Sequence, residues 1–148
     1  MLVGHSYGGA VISLVSARAG NVAGLVYVAA FIQDEGETLQ LLAEQAIDST
    51  LGPALRPAHY PTGAAEDPGT ELYVDPVSFP TIFAADLPSE QAAVLASSQR
   101  PVSATVFDEI SGPVGWKMLP LWAVISPSDL AVGAGTSRDR RPRLVIGK

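Results

Sequence analysis

Two hydrophobic periods follow one another in the first thirty residues. Met1, Leu2 and Val3 are apolar and run into Gly4-His5-Ser6-Tyr7-Gly8-Gly9. Over residues 10–19, Val11, Leu14, Val15 and Ala19 recur at helical spacing, which predicts a helix with that stripe turned inward. Gly20 and Asn21 supply its stop signal. Residues 22–30 (VAGLVYVAA) are apolar on both faces and rich in β-branched side chains, the pattern of a strand in a parallel sheet covered on both sides. The segment therefore reads as a β-α-β unit entered partway through its first strand.

Beyond Phe31 the pattern changes. Asp34-Glu35-Gly36-Glu37 is an acidic turn, and residues 38–47 predict a helix with Leu39, Leu42, Ala43 and Ala46 inward. Residues 52–69 are Pro- and Gly-rich and predict a loop. Residues 72–76 predict a short extended piece, and residues 88–98 a helix opened by Pro88 or Ser89. With so little strand signal, residues 31–115 are expected to form a helical cap inserted over a sheet rather than part of one. Leu121–Ile125 is a second apolar strand, followed by the polar turn Ser126-Pro127-Ser128-Asp129. The expected organisation is α/β: elbow strand, helix and next strand in 1–30, a cap in 31–115, a strand and acidic turn in 116–132, and an irregular basic tail in 133–148.

Composition narrows the function classes. Hydrophobic residues make up 47% and charged residues 16% of the 148, enough for a core. The formal net charge is −6, which argues against a nucleic-acid partner. The absence of cysteine excludes disulfides and cysteine-ligated zinc. No apolar run has membrane-spanning length and no basic segment precedes one, so a cytoplasmic protein with no membrane partner is expected. Charge is uneven: residues 138–148 hold five basic groups and one acid, whereas the preceding 137 residues carry −10. The tail is expected to be foreign to the fold, as in a truncated or frame-shifted reading frame or a partial gene model.

Gly4-His5-Ser6-Tyr7-Gly8 fits G-x-S-x-G, the nucleophile elbow. In a chain with 14 glycines the bare pattern is weak. The apolar strand before it, and the helix and buried strand after it, are the context that gives it meaning. Such a turn lifts the Ser6 hydroxyl above the sheet. Glycine at 4 and 8 is expected to clear the close approach of strand and helix, Gly9 and Ala10 to keep the next contacts small, and the Tyr7 N–H to donate to an oxyanion. In this fold the acid follows a later strand and the histidine follows the acid. Asp129, four residues past Ile125, has that place, unless it is a plain turn residue. Asp108 and Asp139 are poorly placed. The two histidines are His5, inside the elbow, and His59, in the Pro-rich stretch ahead of the acid; neither has the order a catalytic base requires.

Residues 2–12 (LVGHSYGGAVI), with Leu25-Val26-Tyr27-Val28-Ala29-Ala30-Phe31, the acidic turn at 34–37 and the Asp129 turn, resemble α/β-hydrolases. More narrowly, they are similar to small esterase-like proteins related to plant methyl-ester esterases and hydroxynitrile lyases. The resemblance covers roughly residues 1–132. It implies Ser6 as nucleophile, Tyr7 as one oxyanion donor, Asp129 as triad acid and no cofactor. The reaction it implies is hydrolysis of a small apolar ester through an acyl-enzyme, in a chain expected to be inactive for want of its histidine. A lyase of the same fold, or a non-catalytic binding module for a small molecule, are the alternatives. Oligomeric state is not readable.

Overall fold

The structure is a computed structural model that describes residues 1–63 and 68–133, together with the backbone of a strand at 143–146. It divides into two compact units. One comprises residues 1–49 and 109–148, the other Thr50–Asp108. The expected cap, 31–115, thus spans more than the second unit, because residues 31–49 and 109–115 cluster with the sheet of the first.

In the first unit, β1 (Leu2–Ser6), β2 (Leu25–Ala30), β6 (Leu121–Ile125) and β7 (Arg143–Ile146) form a parallel sheet in the order β1-β2-β6-β7. β7 corrects the expectation that the whole tail is irregular: residues 143–146 pair with β6, Ala123 opposite Leu144 and Val124 opposite Val145. Leu144-Val145-Ile146 is an apolar triplet with two β-branched residues, and the surrounding arginines mask it when charge is read first.

The core follows strand alternation. Leu25, Tyr27, Leu121, Ala123 and Ile125 are buried with Ile12 and Ile32. The intervening Val26, Val28, Trp122 and Val124 are half-buried, so the second face is less covered than the apolar runs predict. Helix α1 (Gly8–Ser16) also departs from expectation. It begins two residues earlier than expected, and its buried face is Gly9, Ala10, Ile12, Ser13 and Ser16, while Val11 and Val15 are exposed. The tight turn at Ser6 fixes the phase of the helix and brings it so near the sheet that small side chains must face inward; the hydrophobic stripe does not decide.

Ser13 shows how that interface is satisfied. Its hydroxyl donates to the Gly9 carbonyl (2.8 Å) and is hydrogen-bonded to the Tyr27 hydroxyl (2.8 Å). Burial pushes the Tyr27 phenol up to about 12, the Ser13 bond opposing the shift. An unfolded tyrosine ionises near pH 10, so stability is complete below that and is lost as pH rises from about 10 to 12, by roughly 2 kcal/mol. Tyr27→Phe should abolish this alkaline component and cost about 1 kcal/mol at neutral pH. Urea melts of both chains at pH 8 and pH 11.5 check this; an equal alkaline loss in Tyr27→Phe would contradict it.

Helix α2 (Leu39–Gln45) is capped by the Thr38 hydroxyl, which accepts from the Leu41 N–H (3.1 Å). Leu39, Leu42 and Ala46 are buried as the stripe predicts, and Ala43 is half-buried. The loop after β2 is tied to the approach to β6. Trp116 Nε1 donates to the Gln33 carbonyl (2.7 Å), Gly36 N–H to the Ser111 carbonyl (2.9 Å), and Lys117 pairs with Asp34 (2.5 Å).

The second unit contains strand structure where a strand-poor insertion was expected. β3 (Leu55–Tyr60), β4 (Gly69–Val74) and β5 (Val102–Ser103) form an antiparallel sheet in that order. Turn-forming residues hide β3. Pro57 has no N–H to donate, and it is tolerated because β3 is an edge strand paired only with β4. The short helices α3 (Leu51–Ala54) and α4 (Phe79–Phe83) and the longer α5 (Ser89–Ser98) complete the unit. Ala54, Val74, Phe79, Ala84, Ala92 and Ala96 form its core. Gln99 closes it, accepting from the Val74 N–H (2.8 Å) and donating to the Val74 carbonyl (2.9 Å). Among the described residues no helix is long and apolar enough to cross a membrane.

Candidate active site

Ser6 is the last residue of β1 and has φ +52, a left-handed conformation that an L side chain rarely adopts. Tyr7 follows at the N-cap of α1 with helical angles, and its carbonyl accepts from the Val11 N–H (3.3 Å). A strained serine between a parallel strand and a helix start is what the motif requires. The first N–H groups of a helix lack intrahelical partners, so those at the start of α1 face the same end as Ser6.

The glycines divide their labour differently from the expectation. A Cβ on Gly4 would lie 2.5 Å from the Gly8 carbonyl oxygen and 2.9 Å from the Gly9 nitrogen, so Gly4 is required by close backbone approach. A Cβ on Gly8 would meet nothing within 4 Å, so Gly8 does not carry the clearance role assigned to it. Gly9 does: a Cβ there would collide with the Phe31 carbonyl oxygen and lie 2.9 Å from the Ala30 Cβ. The spacing of G-x-S-x-G points at Gly8. Gly9, expected only to keep the next contacts small, makes the close approach.

Asp129 lies in the turn after β6, at the same end of the parallel sheet as Ser6, with β2 between their strands. Two strand spacings put their strands roughly 10 Å apart, and the carboxyl ends of parallel strands are where α/β sheets bind ligands. Its Oδ1 accepts from the Ala131 N–H (2.8 Å) and the Val132 N–H (3.0 Å). The carboxylate therefore organises its own loop, the role a plain turn residue would also have. The alternative acid Asp108 is exposed in the second unit, and Asp139 lies outside the described residues.

Both histidines are exposed. His5 is exposed on β1 one residue before Ser6, and strand alternation turns successive side chains to opposite faces. His59 is exposed on β3 of the second unit, its Nδ1 3.2 Å from the Thr70 hydroxyl. Among the described residues no three acidic or histidine side chains converge to hold a metal ion. A shallow cleft of about 360 Å³ lies between α3 and α4, lined by residues such as Pro53, Ala54, Ser78 and Ile82; it includes neither the elbow nor the Asp129 turn.

The fold has well-defined relatives among solved structures. A methylesterase protein from Arabidopsis matches with a TM-score of 0.71 at 17% identity, covering 99% of this chain and 58% of its own. Polyneuridine aldehyde esterase matches at 0.74 and 14%, covering 98% of this chain and 60% of its own. A pyrethroid hydrolase from Sphingobium faniae JZ-2 matches at 0.65 and 19%, covering 99% and 60%. The chain spans about three fifths of the length of these proteins. At such identities the likeness concerns the fold. No curated protein matches by sequence. A family model does, over residues 1–146, running from the elbow strand through the Asp129 turn and into β7. By that match and by the strained serine at the head of its sheet, the chain belongs to the alpha/beta hydrolase family.

Proposed function

We propose that this protein is a serine hydrolase acting on a small, apolar carboxylic ester. The observation that carries the reading is the φ of +52 at Ser6, between a parallel strand and a helix start. Ser6 Oγ attacks the ester carbonyl carbon while a base takes its proton. The Tyr7 N–H is one donor to the resulting oxyanion. Breaking the ester C–O bond releases the alcohol, which takes up that proton, and leaves Ser6 acylated. Water then attacks the acyl carbon and frees the acid and the serine. Asp129 is the carboxylate that would orient the base. The names of the structural relatives, a methylesterase, an aldehyde esterase and a pyrethroid hydrolase, support the ester class.

Neither His5 nor His59 serves as base in this reading, so the chain turns over esters slowly. Release of p-nitrophenol from p-nitrophenyl acetate, with and without added imidazole, tests it against Ser6→Ala. Turnover that does not depend on Ser6 under either condition would overturn the reading.

A further inference from the structure

Apart from glycines, the described residues include two with positive φ, and they lie side by side. Ser6 (φ +52) ends β1; Ala29 (φ +40) lies near the end of β2. The pairing of the two strands explains the coincidence. His5 is opposite Val28, but Ser6 is opposite Ala30, so Ala29 has no partner and β2 bulges there. Beyond the bulge, the Phe31 N–H donates to the Ser6 carbonyl (3.2 Å). The Phe31 carbonyl lies directly against Gly9, where a Cβ would strike it. One peptide segment at the end of β2 thus touches the elbow at the nucleophile and again three residues after it.

We propose that Ala29 is a positioning residue for Ser6: its left-handed bulge carries the Phe31 N–H onto the Ser6 carbonyl and holds the elbow in its strained form. When β1 turns out of its pleat at Ser6, a regular β2 would lose register with it. Skipping one residue restores the pairing, and the residue skipped here adopts positive φ. Ala29 does so at a cost that glycine would not incur. The strain at Ser6 is therefore matched by strain on its neighbour and does not depend on the glycines of the motif alone. An alanine inside an apolar strand gives no sequence signal for this.

The catalytic consequence rests on Ser6 being the nucleophile; the conformational claim does not. Four variants of the full chain separate them. Ala29→Gly and Ala29→Asn differ in size but both tolerate positive φ, whereas Ala29→Val and Ala29→Thr resist it. Two readouts are followed: amide exchange of Phe31 with the Ser6 13Cα shift by NMR, and the rate at which Ser6 reacts with a fluorophosphonate in imidazole buffer. Gly and Asn should preserve both. Val and Thr should speed Phe31 exchange, move the Ser6 shift towards that of an ordinary strand, and slow modification about tenfold to a hundredfold through misplacement of the hydroxyl.

Wild-type Phe31 protection and Ser6 reactivity in Val and Thr would overturn the proposal. So would equal losses in all four variants, which would mean that the methyl group matters and not the backbone angle. Should Val and Thr fail to fold, Gly and Asn decide alone, since loss of Phe31 protection in both contradicts the proposal and retention in both supports it. Absence of any Ser6 adduct in the unmodified chain would count against the nucleophile, while Phe31 exchange would still decide the role of Ala29.

Discussion

Gly4→Ala and Gly9→Ala should each destabilise the chain by about 3 kcal/mol, at the upper end of the usual cost of overpacking. Gly8→Ala should leave it unchanged or stabilise it by a few tenths of a kcal/mol. The three positions are close in sequence and differ sharply in what a methyl group would meet. At Gly4 it meets backbone of residues 8 and 9, at 2.5 to 2.9 Å. At Gly9 it meets the Phe31 carbonyl, the Ala30 Cβ and the Tyr27 ring edge. Neither set can rotate away, so relief requires the helix to move off the sheet and the Ser6 turn to relax. At Gly8 the space is open, and alanine is the better helix former. Urea denaturation of the three variants measures the differences. Equal behaviour of Gly8→Ala and Gly9→Ala would contradict the packing described for α1.

The second large effect concerns the base that the proposed function leaves unassigned. A positioned general base contributes about a hundredfold to ten-thousandfold to such a reaction. Without one, hydrolysis of p-nitrophenyl acetate by the chain should lie close to that of Ser6→Ala. Imidazole added to the buffer can take the Ser6 proton, and the Ser6-dependent part of the rate should then rise about tenfold or more. Imidazole also attacks the ester unaided; Ser6→Ala reports that background and is subtracted. A fast Ser6-dependent rate without imidazole, abolished by His5→Gln or His59→Gln, would mean that the chain supplies its own base.

How far the sequence discloses this molecule depends on which force shapes each element. β2, β6 and the stripe of α2 are legible because burial alone sets them: Leu25, Tyr27, Leu121 and Ala123 alternate inward, and Leu39 and Leu42 face the core. Helix α1 exists where periodicity puts it, yet its inward face is not its apolar stripe, because a backbone turn at Ser6 sets the phase. β3 is obscured by Pro57, which an edge position permits, and β7 by the charge of the residues around it. At the candidate site, Ser6, Tyr7, Gly4 and Asp129 can be named from motif and order. Ala29 cannot, since its role arises from the approach of β2, which no local pattern records. The two bonds to Asp129 Oδ1 are equally silent in sequence.

The chain contains 13 serines of the same intrinsic chemistry, and the elbow is what should set one apart. Peptide mapping after long exposure to a fluorophosphonate in imidazole buffer asks that question directly. The account predicts a single adduct, on Ser6, that disappears in Ser6→Ala and in Gly9→Ala. Modification spread over exposed serines such as Ser97 and Ser126, or none on Ser6, would contradict it.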